Sequence, residues 1–380
     1  MQRGVPKRRV LDPTATMTEA QDKATEFDEP SEQENVESPH DAETVSYFGT
    51  DFDVHGLVRR LKKGDIQIPS FDPAVQKDGH LAGFQRKFVW RSPQMHKFVE
   101  SILLGFPVPD IFLVQQKNKT LLVLDGQQRL RTLQKFYDDE FALENTVKRF
   151  QGLRYSELDD EQRRALDNFF IHATVIKYSD SPEGAESVYM VFERLNAGGT
   201  NLHPHEIRVA LYNGGMVSLI RELNSTESWR SLYGPVADRL KDQELILRFI
   251  ALYLDSDNYE RPLKSFLNSF LRSHRGLEGI DSEQVTDVFK KTCAVIDAGI
   301  GRAAFRLTNS INSALVDAVM IGVARRLEKG PINVVSRLSD ALEGLKALSA
   351  FRDAIGRATA DEERVKSRLD LATEAFAKVE

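Results

Sequence analysis

The chain has 380 residues, 41% hydrophobic and 28% charged, with a formal net charge of −6. That length allows two domains with real cores, and the composition excludes both a low-complexity chain and a globally basic, DNA-coating protein. A single cysteine, Cys293, excludes an internal disulfide and any cysteine-based zinc cluster, and no apolar run approaches the roughly 18 residues of a membrane span.

Met-Gln-Arg-Gly-Val-Pro-Lys-Arg-Arg opens the sequence with no apolar segment behind its charges, so no secretory signal is expected and the reading is cytoplasmic. Between Thr18 and Thr44 stand ten carboxylates and one lysine. Such a stretch buries too little to offset its ordering entropy, so residues 1–45 read as a disordered acidic tail. Val54, Leu57, Val58 and Leu61 then repeat at helical spacing until Gly64, and Ile66-Gln-Ile68-Pro69 reads as a short strand. The loop DPAVQKDGHLAG leads to FQRKFVW (84–90), and Ser92-Pro93 opens a helix with Met95, Phe98, Val99, Ile102 and Leu103 as its apolar stripe.

Residues 111–115 and 120–124 are apolar runs joined by Gln-Lys-Asn-Lys, a hairpin pattern. A helix is expected over 125–138, a strand over 168–178, and a helix from Ser181-Pro182 to Gly198-Gly199. Past Leu202 strand signals vanish. Helical stretches follow near 204–213, 215–223, 240–254, 261–273, 282–298, 308–328, 333–347 and 361–379. The fold class is therefore α+β, with a mixed domain over 46–205 followed by an all-helical domain over 206–380.

The stretch LLVLDGQQRLRTLQKF (121–136) carries the chemistry. A strand that enters a helix through Asp125-Gly126 leaves the first helical N–H groups facing outward, where glycine lets a phosphate approach the backbone. Arg129 offers a donor fork for phosphate oxygens, Gln127 and Gln128 can bond a base, a sugar or an attacking water, and Asp125 can hold a divalent metal or polarise that water. The plain alternative is a turn in which Asp125 caps the helix.

Three further stretches bear on the choice: FQRKFVW (84–90), SILLGFPVPDIFL (101–113) and FERLNAGGT (192–200). With Asp-Gly-Gln-Gln-Arg, and in this order, they resemble the N-terminal domain of GmrSD-type modification-dependent restriction endonucleases over residues 50–210, a family similar in fold to ParB and sulfiredoxin. The resemblance implies a ParB/sulfiredoxin-like domain with a nucleotide-phosphate pocket, in which nucleoside triphosphate hydrolysis with Mg2+ regulates DNA cleavage against foreign DNA. Asp125, Gln127, Gln128 and Arg129 would act on the phosphates, with Asp125 at the metal. Gln85, Arg86, Gly126, Arg194 and Asn196 would bind the nucleotide, unless Arg86 and Arg194 form structural ion pairs instead.

Full-length members often end in an HNH nuclease with a His-rich motif. No Asp-His-Ile-x-Pro-like element occurs in this sequence, so a separate nuclease subunit is the expected partner, together with DNA and the nucleotide. A ParB-like domain that cuts DNA itself, and a non-catalytic adaptor, are the rival readings, and a homo-oligomer stays open. Weaker signals are His203-Pro-His205 as metal ligands, Gly299-Ile-Gly301 as a dinucleotide fingerprint, and Arg59-Arg60-Leu-Lys62-Lys63 and Arg325-Arg326 as DNA contacts. Solvated helix faces explain the basic clusters equally well, the histidine pair falls at a helix start that resembles the family element, and the glycine stretch follows a helical rather than a strand pattern.

Overall fold

A computed structural model of the chain describes residues 44–69, 90–179, 181–196, 202–237 and 239–380. The acidic tail up to residue 43, the Gln85-Arg86 loop and the Gly198-Gly199 pair lie outside the described residues. The chain divides into two compact units, whose described parts begin at residues 44 and 214. Among the described residues no helix is long and apolar enough to cross a membrane.

The first unit is built on a five-stranded mixed sheet in the order β1-β5-β3-β4-β2. Its strands are β1 (Tyr47–Asp53), β2 (Ile66–Gln67), β3 (Ile111–Gln115), β4 (Leu121–Asp125) and β5 (Phe170–Ile176). β3 and β4 form the expected antiparallel hairpin, β5 runs parallel to β3, and β1 lies antiparallel on β5 at one edge. Strand β1 has no counterpart in the sequence reading. Its residues Tyr-Phe-Gly-Thr-Asp-Phe-Asp are mostly exposed, so no clean apolar alternation marks it.

One face of the sheet carries the core. Ile111, Leu113, Val123, Ile171, Ala173 and Val175 pack there beneath α1 (Val54–Lys63), α2 (Ser92–Leu103), α3 (Gln127–Tyr137) and α4 (Asp160–Asp167). Asp53 caps α1 by accepting from Gly56 N–H, and Gly64 ends it in the left-handed conformation at φ 78°. Helix α4 escaped the sequence reading because it buries only Leu166.

The side chains of Val114, Leu122, Leu124 and Ile176 alternate to the opposite face and are also buried. Helix α5 (Pro182–Asn196) packs against β4, with Ala185, Val188, Tyr189 and Phe192 buried. Helix α6 (Pro204–Leu211) completes the unit and packs on α5.

At the C-terminal end of α3 the Tyr137 hydroxyl donates to Asp167, which also accepts from Tyr155. The two rings stack with centroids 4.1 Å apart. Burial, and then the neighbouring Asp167, raise the Tyr137 pKa, so the phenol keeps its proton. Tyr137→Phe is expected to destabilise this unit by about 1–2 kcal/mol, because the carboxylate keeps only one of its two phenol donors. Urea unfolding of the variant checks this, and an unchanged midpoint would mean that the bond contributes nothing.

The second unit is helical throughout its described residues, apart from 3-10 turns and one isolated bridge between Arg306 and Ile311. It runs through α7 (Gly215–Asn224), α8 (Glu227–Tyr233), α9 (Lys241–Asp255), α10 (Leu263–Ser273) and α11 (Ser282–Gly299). It ends with α12 (Ser313–Leu327), α13 (Arg337–Ala347), α14 (Ser349–Gly356) and α15 (Glu362–Ala377). Helix α12 is the axis, with every residue from Ser313 to Ala324 buried, and it packs on α9, α11 and α15. It begins five residues later than the 308 expected, because Asn312 caps it by accepting from Leu315 N–H at 2.8 Å.

Candidate functional site

Strand β4 ends at Asp125, and Gly126 turns the chain into α3. Gly126 stands in the left-handed region at φ 96°. A Cβ on it would come within 2.5 Å of Ile111 Cγ2 and 3.3 Å of Arg129 Nη2, so any other residue would meet both strain and a clash.

Gly126 is the N-cap of α3, and no side chain caps the helix. Asp125, which could have filled that role, faces elsewhere: its Oδ2 accepts from Arg129 Nη2 at 2.8 Å. The same Nη2 donates to the backbone oxygen of Asp110 at 2.8 Å, which ties the turn to the start of β3. Arg129 is largely buried, at 13% side-chain exposure, while the Asp125 carboxylate is 47% exposed. Its second oxygen takes no hydrogen bond among the described residues. The turn therefore presents an open helix N-terminus, a half-exposed carboxylate and one fixed guanidinium, which together suit an anion that carries a cation.

Gln127 and Gln128 occupy the first turn of α3, both partly exposed. Gln128 Oε1 accepts a long bond of 3.4 Å from Trp90 N–H. Trp90 itself packs edge-on against Phe98, with centroids 5.5 Å apart. Deeper in the helix, Thr132 Oγ1 donates to Gln128 O at 2.8 Å. Trp90, the Asp110 carbonyl and Ile111 shape the site; all three lie in the quoted stretches FQRKFVW and SILLGFPVPDIFL, but no side-chain pattern marks the role of the carbonyl.

Arg194 lies in the last turn of α5, exposed, and makes no ion pair among the described residues. Asn196 is the last residue of α5, and its side chain lies outside the described residues, as do Gln85 and Arg86.

A metal would find one protein ligand here. Among the described residues no three His, Cys, Asp or Glu side chains converge as a metal site, around His203 and His205 or anywhere else. A magnesium ion is commonly held by one or two carboxylates and substrate phosphates, and a single half-exposed Asp125 beside an anion cradle fits that pattern.

The segment containing this turn matches the family model described as GmrSD restriction endonuclease, N-terminal domain, over residues 55–213. Residues 55–213 are similar to that N-terminal domain. No curated protein matches the chain. Within this segment the Asp125–Arg129 turn sits at the open end of the β3–β4 hairpin, tied to the start of β3 through Arg129 and the Asp110 carbonyl.

The weaker candidates resolve differently. Arg325 donates to Thr373 Oγ1 and Ser256 Oγ at 3.2 and 3.1 Å, and Arg326 to the carbonyls of Val379 and Gly330 at 2.6 and 2.9 Å. Both arginines hold helix ends together within the helical unit. In α1, Lys62 pairs with Asp138 and Arg60 lies 5.4 Å above the Phe52 ring, which leaves Arg59 and Lys63 on the surface. Gly299-Ile-Gly301 ends α11 and opens a 3-10 turn, so it does not join a strand to a helix as a dinucleotide fingerprint must. Cys293 is fully buried, which pushes its thiol pKa up and leaves it inert.

Proposed function

We propose that this protein is the nucleoside-triphosphate-binding and hydrolysing component of a restriction-type DNA-defence system, with a ParB/sulfiredoxin-like nucleotide domain and a nuclease supplied by a separate subunit. The observation that carries the reading is the uncapped glycine turn at Gly126, flanked by Asp125 and Arg129. The match to the GmrSD N-terminal domain supports the defence context and the DNA partner.

The backbone at Gly126 and the first turn of α3 bind the terminal phosphates. Arg129, fixed by Asp110, faces charge that develops on them. Asp125 holds the nucleotide's Mg2+, which when bound draws charge from the phosphate oxygens. Gln127 and Gln128 orient the attacking water, and Arg194 and Asn196 close the pocket together with Gln85 and Arg86. None of these groups supplies a covalent intermediate, so the work is positioning and electrostatics.

Phosphate release from ATP, GTP, CTP and UTP with Mg2+, with and without DNA, tests this. The wild type is expected to turn over one or more of them, and Asp125→Ala and Arg129→Ala to lose about 100-fold or more in rate while keeping their melting temperatures. Normal hydrolysis by both variants would remove the site from the mechanism.

A further inference from the structure

Among the described residues the sheet face that carries α5 is covered only in part. Cross-strand pairs place Phe112 opposite Thr174 and Thr174 opposite Gly49, so these three residues form one row across β3, β5 and β1 on that face, and Asp125 meets the end of the row at Phe112, where the β3–β4 register shifts. Helix α5 packs at the β4 end, whereas Gly49, Asp51 and His172 at the β5–β1 end are exposed. Phe112 and Thr174, which lie between, are each partly exposed.

His172 is held on this open floor from two sides. Its Nδ1 lies 2.8 Å from Asp51 Oδ1, and its ring rests against Gly49, where a Cβ would stand 2.9 Å from Cε1 and 3.0 Å from Nε2. An ionised carboxylate only accepts, so Nδ1 carries the proton, and in the neutral tautomer that this fixes Nε2 is an acceptor. Nε2 makes no hydrogen bond among the described residues, and 45% of the side chain is exposed. An exposed histidine on a sheet face needs neither an oriented tautomer nor a glycine beneath it to be solvated. From Asp125 the imidazole lies about 10 Å across two strand spacings and about 7 Å along β5, or about 12 Å in all.

We propose that His172, positioned by Asp51, accepts a hydrogen bond from the nucleoside part of the nucleotide whose phosphates rest at Gly126. This inference rests on the nucleotide reading above. An extended nucleoside triphosphate reaches from the turn over Phe112 and Thr174 to Nε2, where a sugar hydroxyl or an amino group of the base supplies the donor. Gly49 is then required because a side chain there would displace the ring.

Titration calorimetry with magnesium tripolyphosphate and with the four nucleoside triphosphates tests the contact. His172→Ala is expected to weaken the preferred nucleotide about 5- to 10-fold while leaving tripolyphosphate unchanged, the size of one lost hydrogen bond. His172→Gln should recover part of the loss and Asp51→Asn should produce part of it, with melting temperatures unchanged in all three. Equal nucleotide affinity in His172→Ala, or an equal loss for tripolyphosphate, would overturn the inference. Where nucleotide binding still fails in Arg129→Ala, the phosphate site stands and only the nucleoside contact falls. A wild type that binds neither ligand overturns both.

Discussion

Asp317→Asn is expected to destabilise the helical unit by about 3–5 kcal/mol, the range for an uncompensated buried ion pair. Asp317 on α12 is 1% exposed and is the carboxylate onto which two guanidiniums converge. Arg248 of α9 reaches its two oxygens at 3.0 and 2.6 Å, and Arg368 of α15 reaches Oδ2 at 2.8 Å. Arg368 is fully buried, and burial lowers its pKa against the opposing pull of Asp317. Asparagine keeps the shape and leaves two cations facing a neutral amide. Replacing Asp317, Arg248 and Arg368 together by Leu, Met and Met should recover most of the loss, since no charge is then left without a partner. Because the chain has two compact units, the measurement is amide hydrogen exchange along α12 rather than one melting temperature. Protection in Asp317→Asn within about 1 kcal/mol of the wild type would show that the three-residue cluster does not hold the bundle.

Gly126→Ala is the second large effect. The left-handed backbone costs an L-residue about 1–2 kcal/mol, and overpacking a buried site costs about 1–3 more. Ile111 cannot move aside, because it is fully buried in the sheet core. The expected loss is about 2–4 kcal/mol in urea unfolding of the first unit, together with at least a tenfold loss of nucleotide affinity. A stable Gly126→Ala that binds nucleotide normally would mean that the turn is not held as described.

Some of this was legible in the sequence because the signals were local. The hairpin, α3 and the turn between them stand where Leu121–Leu124, Asp125-Gly126 and Leu130, Leu133, Phe136 put them. The start of α5 at Pro182 followed from the Ser181-Pro182 signal, and α12 lies within the helical stretch expected near 308–328. What escaped was set by tertiary partners. Strand β1 exists because β5 pairs with it, and α8 and α14 are short helices without a long periodic stripe. The Asp51–His172 pair joins residues 121 positions apart. Likewise Arg129 reads as a phosphate donor from sequence, yet its Nη2 also pins the turn to Asp110, a contact with a backbone carbonyl that no side-chain pattern announces. Arg325 and Arg326 read as a basic patch because the carbonyls and hydroxyls they hold come from other helices.

The most direct test of the central claim is hydrogen exchange across peptide 121–136 on adding each nucleoside triphosphate with Mg2+ to the intact chain. Saturable slowing is expected at the N–H groups of residues 126–129 with the preferred nucleotide, as phosphate oxygens accept from the open end of α3. Saturable binding that leaves those amides exchanging at the free rate would contradict it, and would move the nucleotide site away from this turn.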